Sequence, residues 1–425
     1  MKRIIASLIA LMLVSSLALW AGGKQEKQTQ LKELTEPVTI EIWYSLGAKY
    51  SAPLEKIIKD FNASQTLITV KGVYQGGYAT TQQKLLAAYI GGNPPVLSQL
   101  EQSLVGAFVA NDALVPLENF IKADKSFDIK DFMPEILQGA TYSGKLYGLP
   151  INVSTPVLYI NRDLFRAKGL NPDKYPTTWE QAYEYSKKIA DQSNPAKPIY
   201  GIRVYNSGWI IHSLFRQFGG RLFNDDNTKV LFNSKEIKDA ILFWKKMVDE
   251  KVAVYQGGGE GSAMDAAAQI GMVMRSTGSI QWFKDHVKYD WGVAPFTLGK
   301  VKAVSLGGGN IYMLKKTTPE QQRAAWEFLR YLTSKENQIY WSVNTGYMVS
   351  RKSAYNSPEI QDIFKKDPRY KVTYEQLPYA FPRPRVAAWP EIERMIRDDM
   401  TKIIVQGADV NILDETAKKA QELLE

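Results

Sequence analysis

The chain has 425 residues, 45% of them hydrophobic and 23% charged, and its 53 Lys and Arg against 44 Asp and Glu leave a net charge of +9. That length is about three times a ~150-residue domain, so two lobes or domains are expected, and the composition excludes a disordered chain. Acidic residues are interspersed throughout, which makes the surface mildly basic without a nucleic-acid-binding stripe; the absence of Cys excludes disulfides, thiolate metal sites, thiol nucleophiles and a lipid-modified N-terminal Cys.

At the N-terminus, Lys2-Arg3, the apolar run Ile4–Ala21 and then Gly22-Gly23 have the order of a secretory signal spanning 1–21, with Ala21 before the cut. The run also has the length of an uncleaved membrane anchor. The glycine exit favours processing, which places the mature protein in the periplasm or on the outer face of the cytoplasmic membrane. Residues 22–37 are polar and aperiodic and read as a flexible leader.

Val38, Ile40 and Ile42 alternate with polar neighbours and predict a strand. Leu54, Ile57, Ile58 and Phe61 then mark one face of a helix. A strand over 67–73, a helix over 79–90 and a buried strand over 95–100 continue the alternation of an α/β lobe with a largely parallel sheet. Thr178-Trp-Glu-Gln181 and Thr318-Pro-Glu-Gln321 read as capping boxes, the second opening a helix with Ala325, Phe328, Leu329 and Leu332 as its core stripe. The Pro-rich segment 378–390 reads as extended and rigid.

Motifs for catalysis are missing. There is no G-x-S-x-G elbow, no H-E-x-x-H and no phosphate-cradling loop ending in Lys-Ser/Thr. Gly257-Gly-Gly-Glu-Gly261 reads as a flexible turn, and Asp225-Asp226-Asn227 as a surface turn without the rest of a Ca²⁺ loop. His212, on a predicted helix start, and His286 have no triad or metal-site partner motif, and packing is expected for His212. The 23 Tyr and 10 Trp suit a protein that buries a polar organic ligand against flat rings. No enzyme activity, cofactor or metal is expected.

Several segments together resemble the extracellular solute-binding proteins of ABC importers, in the maltose-binding-like class: Val38–Ser45, Gly91-Gly-Asn-Pro-Pro-Val96, Leu158–Phe165, Ala325–Leu332 and Thr345-Gly-Tyr-Met-Val349. Within that class, Tyr74–Tyr78, Asn152–Tyr159, Ser207-Gly-Trp209, Ser276–Ser279, Gly307-Gly308, Thr345–Tyr347 and Arg385 before Trp389-Pro390 resemble the proteins that bind sn-glycerol 3-phosphate and glycerophosphodiesters. Tyr44 stands where that group carries a histidine. The resemblance implies a two-lobed α/β fold of the type II periplasmic-binding-protein kind, with a ligand cleft between lobes joined by hinge crossings. Lobe 1 is expected to comprise 38–150 plus 306–345, and lobe 2 to comprise 151–305 plus 346–425, with crossings near 150–155, 304–310 and 345–350. It further implies a monomer that hands its ligand to membrane permease subunits and does not bind nucleic acid.

Ligand-binding roles carried over by the resemblance fall on Tyr44, Tyr78, Glu101, Ser154, Trp209, Ser279, Gly307, Gly308, Tyr347 and Arg385. Arg385 is the phosphate-gripping arm, because a guanidinium fork holds two oxygens at once; the other reading is a partner for a nearby carboxylate. Arg383 is a second candidate. Gly307 and Gly308 permit close backbone approach to a ligand or form a hinge. Ser154 and Ser279 donate hydroxyl bonds to phosphate or cap helices. Trp209 stacks on carbon or packs in a core, Tyr78 and Tyr347 offer a ring and a hydroxyl, and Glu101 accepts from glycerol hydroxyls. An oligosaccharide is the competing ligand, and a secreted hydrolase the competing function.

Overall fold

The computed structural model describes residues 33–47 and 50–425. The expected signal at 1–21 and most of the expected leader lie outside the described residues. Among the described residues, no helix is long and apolar enough to cross a membrane.

The alternation at the start forms β1 (Val38–Tyr44), whose Ile40, Ile42 and Tyr44 are buried. There follow β2 (Ile68–Tyr74), β3 (Leu97–Glu101), β4 (Gly148–Ser154), β5 (Pro156–Asn161), β6 (Tyr200–Val204), β7 (Ala253–Tyr255), β8 (Ile270–Ser276), β9 (Trp291–Pro295) and β10 (Gly307–Met313). Two five-stranded sheets result, in the orders β2-β1-β3-β10-β4 and β9-β5-β8-β6-β7. In the first, β1 runs parallel to β2 and β3, while β10 runs antiparallel to both β3 and β4. In the second, β5 runs antiparallel to β8 and β9, and β6 parallel to β7 and β8. Every residue of β3, β4 and β5 is buried, as expected of strands covered on both faces.

Helices cover the sheets: α1 (Ser51–Ser64), α2 (Tyr78–Ile90), α3 (Trp179–Ile189), α4 (Gly208–Gln217), α5 (Lys235–Asp249), α6 (Gly258–Ala266), α7 (Pro319–Leu332), α8 (Lys335–Thr345) and α9 (Trp389–Gln406). The predicted stripes face inward. Leu54, Ile57, Ile58 and Phe61 of α1 join Ala325, Phe328, Leu329 and Leu332 of α7 in the core around the first sheet. Trp179, Phe215, Trp244, Met272 and Trp389 anchor the core of the second. Burying each such side chain contributes about 1.5–3 kcal/mol.

Two local readings are corrected. At Thr318 the capping box is complete, but at Thr178 only half forms: Thr178 accepts from the Gln181 N–H, while the Gln181 amide oxygen turns to the N–H and hydroxyl of Thr177. The glycine-rich stretch at 257–261 is not a free turn, because its residues from Gly258 begin α6.

The chain passes between the sheets at Thr155, at Leu306 and again after the left-handed Gly346 that ends α8 (φ +78°). Before Leu306, Val304–Ser305 pairs in parallel with Ala380–Phe381, so the Pro-rich segment begins beside a crossing. Around Thr155, the hydroxyls of Thr155, Thr277 and Thr373 and the Gln376 amide form a buried, mutually bonded cluster. Buried polar groups are tolerated only when satisfied in this way.

Candidate ligand-binding site

The glycines at the start of β10 form the floor of the site. Gly308 has φ +96°, and a Cβ there would lie 1.7 Å from the Asn152 carbonyl oxygen, so only glycine fits. A Cβ at Gly307 would lie 2.8 Å from the Trp209 ring and 3.1 Å from the Ser154 hydroxyl. One at Gly309 would lie 3.2 Å from the Tyr78 ring. Trp209 enters from α4, on the second sheet, while Ser154 and Tyr78 belong to the first, so both lobes meet over this strand.

Tyr78 is held by a chain of side-chain bonds. The Ser45 N–H donates to the Gln99 amide oxygen (2.7 Å), Gln99 donates to the Asn152 oxygen (2.7 Å), and Asn152 donates to the Tyr78 hydroxyl (2.6 Å). Burial, with Tyr347 nearby, pushes the Tyr78 hydroxyl pKa up, so the group stays a neutral donor. Asn152 and Ser154 are two residues apart on β4 and therefore share a face.

Tyr347 follows the third crossing. Its ring stacks on Trp341 and lies 5.5 Å from the Tyr50 ring, and a Cβ at Gly278 would come within 3.2 Å of it. The Tyr50 hydroxyl donates to the Gly278 carbonyl (3.3 Å), a bond between the lobes. Ser279 stands half-buried next to Gly278, at the end of the Thr277–Ser279 turn.

Glu101 ends β3 opposite Gly309 and forms an ion pair with Arg383. Both side chains are buried, and Glu101 also accepts from Ser103. Burial lowers the Arg383 pKa, and the charge of Glu393 on α9 works the other way. The Glu393 carboxylate fills the space beside Gly208, at the start of α4.

Six of the ten expected residues therefore lie along the glycine strand, Tyr78, Glu101, Ser154, Trp209, Gly307 and Gly308, while Tyr347 packs at Gly278 and Ser279 follows Gly278 in the chain. Tyr44 does not join them. Its ring is buried in the core of lobe 1, 5.7 Å from Tyr74, and its hydroxyl donates to Glu55 on α1 (2.6 Å). Arg385 lies at the edge of the cleft, where its Nη1 donates to the Gln138 carbonyl (2.7 Å) and to that of Thr141. It is Arg383 that stands on Glu101. Sequence reasoning missed Tyr50, Gln99 and Asn152; for Asn152 the signal was available, two residues before Ser154 in a strand.

Neither histidine faces a metal site. His212 packs edge-on to Trp389 and His286 stacks on Trp282. Among the described residues, no cluster of three or more His, Asp or Glu is placed to hold a metal ion.

A family model described as bacterial extracellular solute-binding protein matches residues 56–371. The chain is 26% identical over 385 residues to the sn-glycerol-3-phosphate-binding periplasmic protein UgpB of Pectobacterium atrosepticum, covering 86% of each. It is 26% identical over 409 residues to the UgpB of Escherichia coli K12, covering 91% of this chain and 92% of that one. Among solved structures, UgpB of Mycobacterium tuberculosis in complex with glycerophosphocholine superposes with a TM-score of 0.81 at 24% identity, covering 91% of this chain and 98% of that one. The sugar-binding protein MalE of Xanthomonas citri gives 0.79 at 22% identity, covering 91% and 97%. The fold is thus the two-lobed type II solute-binding fold, and the chain belongs to the bacterial extracellular solute-binding protein family.

Proposed function

We propose that the protein is the extracytoplasmic substrate-binding component of an ABC importer, a non-catalytic receptor that captures sn-glycerol 3-phosphate or a glycerophosphodiester and delivers it to membrane permease subunits. The observation that carries this reading is the placement of Trp209 and Ser154 at Gly307 and of Tyr78 at Gly309, along one glycine strand beside the buried Glu101–Arg383 pair. A ring for the glycerol carbons, a carboxylate for the hydroxyls, and hydroxyls with a guanidinium for the phosphate are what such a ligand requires. The names of the curated relatives and the glycerophosphocholine of the mycobacterial structure support the same ligand class.

In this reading the phosphate lies against Gly307–Gly308 and takes hydroxyl bonds from Ser154 and Ser279. Arg383 is the first charge it meets. Arg385 joins only by giving up the carbonyls of Gln138 and Thr141. A ligand touching both lobes favours the closed arrangement. In this reading the lobes divide where the chain passes between the sheets, at Thr155, Leu306 and Gly346. The expected signal and the family's extracellular description support export.

An oligosaccharide is the second reading, favoured by the rings of Tyr50, Tyr78, Trp209 and Tyr347 and by the fold shared with MalE. A thermal-shift panel of sn-glycerol 3-phosphate, glycerophosphocholine and malto-oligosaccharides decides between them, since a ligand well above its Kd stabilises by RT ln(1 + [L]/Kd). The phosphate ligands should raise the unfolding temperature and be recovered unchanged. Stabilisation by neutral sugars alone would transfer the assignment to the oligosaccharide, and released phosphate or alcohol would mark a hydrolase.

A further inference from the structure

Arg216 lies on α4 seven residues after Trp209, two helical turns along the same face. It lines a groove of about 670 Å³ between the lobes, bordered by Tyr142 and Ser143 from lobe 1 and by α4, the 220–227 loop and the 381–388 segment from lobe 2. Arg383 and Arg385 also line it, so the groove continues from the cleft.

The charges in the groove are unevenly matched. Asp225 is engaged by Arg221, and Asp226 turns back to accept from Thr228. Arg216 has no carboxylate within ion-pair distance among the described residues; its guanidinium sits 5.4 Å from the Phe381 ring centre, and its Nε is buried without a hydrogen-bond partner. Burial and the charge of Arg221 both lower the Arg216 pKa. Two neighbours lining the same groove also carry unpartnered nitrogens. Arg383, 7% exposed and paired with Glu101 through Nη2, has a buried, unpartnered Nε, and His212 is 1% exposed with neither ring nitrogen bonded. Desolvated cationic and polar groups are costly unless an opposite charge or a hydrogen bond completes them.

We propose that this groove is a second anion subsite, in which Arg216 binds a phosphate or carboxylate group lying beyond the glycine-strand cleft. The shared chemistry is an oxyanion, either the far end of a bound glycerophosphodiester or free phosphate. The first source rests on the function proposed above; the second does not. For the first, the preferred diester is one whose alcohol is itself acidic.

Calorimetry on the mature exported protein tests this with glycerophosphoinositol, glycerophosphoinositol 4-phosphate and inorganic phosphate alone. The 4-phosphate should bind about 10–100-fold more tightly than glycerophosphoinositol, the range expected for a charged hydrogen-bonded contact. Arg216→Gln should abolish that preference, leave glycerophosphoinositol within about twofold and keep the unfolding temperature, because the side chain gives up no carboxylate partner. Arg216→Lys should retain part of the preference, which separates lost charge from lost fold. Inorganic phosphate that binds the parent but not Arg216→Gln identifies the free anion as the occupant. Equal affinity of the parent for the two diesters, together with no Arg216-dependent phosphate binding, overturns the subsite. If neither diester binds, the glycerophosphodiester reading of the cleft fails, and the inorganic phosphate arm still decides the groove.

Discussion

The two walls of the cleft are built differently. On the lobe 1 side, Ser45, Gln99, Asn152 and Tyr78 form a continuous run of hydrogen bonds, and Glu101 is braced by Ser103, with Arg383 reaching it from lobe 2. On the lobe 2 side, Trp209 leans on Gly307, and one turn later His212 packs on Trp389. A hydrogen-bonded wall has its geometry fixed before a ligand arrives, so little ordering remains to be done on binding. A packed aromatic wall adapts by sliding. If the proposed function holds, lobe 1 sets the orientation of the ligand and lobe 2 closes on it.

The largest effect expected is from Arg383→Ala. It leaves the buried Glu101 carboxylate without its cation, which should cost about 3–5 kcal/mol in denaturant unfolding and weaken phosphate ligands as well. A loss no greater than that of a surface substitution would remove the braced lobe 1 wall from the comparison.

Acid should strike the other wall. Burial holds the His212 imidazole down to about 4 from its ordinary 6.5. Between those values the unfolded chain carries the proton and the folded chain does not, so stability falls as pH drops from 6.5 toward 4. The full loss is up to about 3 kcal/mol, and it is absent above 6.5. Urea titrations at pH 7 and pH 4.5 should show this slope in the parent and a shallower one in His212→Leu.

Asn152→Ala removes the link between Gln99 and Tyr78 and should destabilise by about 1–3 kcal/mol. Its sharper readout is calorimetric, since a Tyr78 no longer aimed should bind ligand with a larger entropic penalty. The smallest effect belongs to Arg385→Ala, which loses bonds to two main-chain oxygens, about 1 kcal/mol of stability, and leaves glycerol 3-phosphate affinity within about twofold. An Arg385→Ala variant that loses more affinity than Arg383→Ala would show that Arg385 leaves its carbonyls to grip the phosphate, as the resemblance implies.

Much of this was legible from residue spacing. The alternation of Val38, Ile40 and Ile42 and the stripe at 54–61 gave β1 and α1 because burial on one face leaves a periodic trace. The helix at 258–266 left no such trace: glycines carry a turn signal whatever they form, and tertiary packing overrode it. For the site, six of the ten positions that the resemblance picked out lie along the glycine strand. Tyr44 failed because a strand's last residue can point to either face, and here the core and Glu55 claimed it. That Arg383, and not Arg385, pairs with Glu101 was beyond the sequence, since two arginines separated by one proline are chemically alike and only the path of the chain past Gly106 separates them.

The position of β10 has a consequence for synthesis. It is the strand between β3 and β4 in the first sheet, yet it follows β4 by about 150 residues of chain, across the whole strand set of lobe 2. Until it arrives, β3 and β4 have no neighbour on the sides that face each other, and lobe 1 consists of a three-stranded fragment and a stray strand. A nascent chain ending before Gly307 should therefore show no cooperative unfolding of lobe 1, which pulsed hydrogen exchange on a 33–305 fragment would reveal. Closing so long a loop is slow, so the sheet of lobe 1 should be completed only after the strands of lobe 2 have been made.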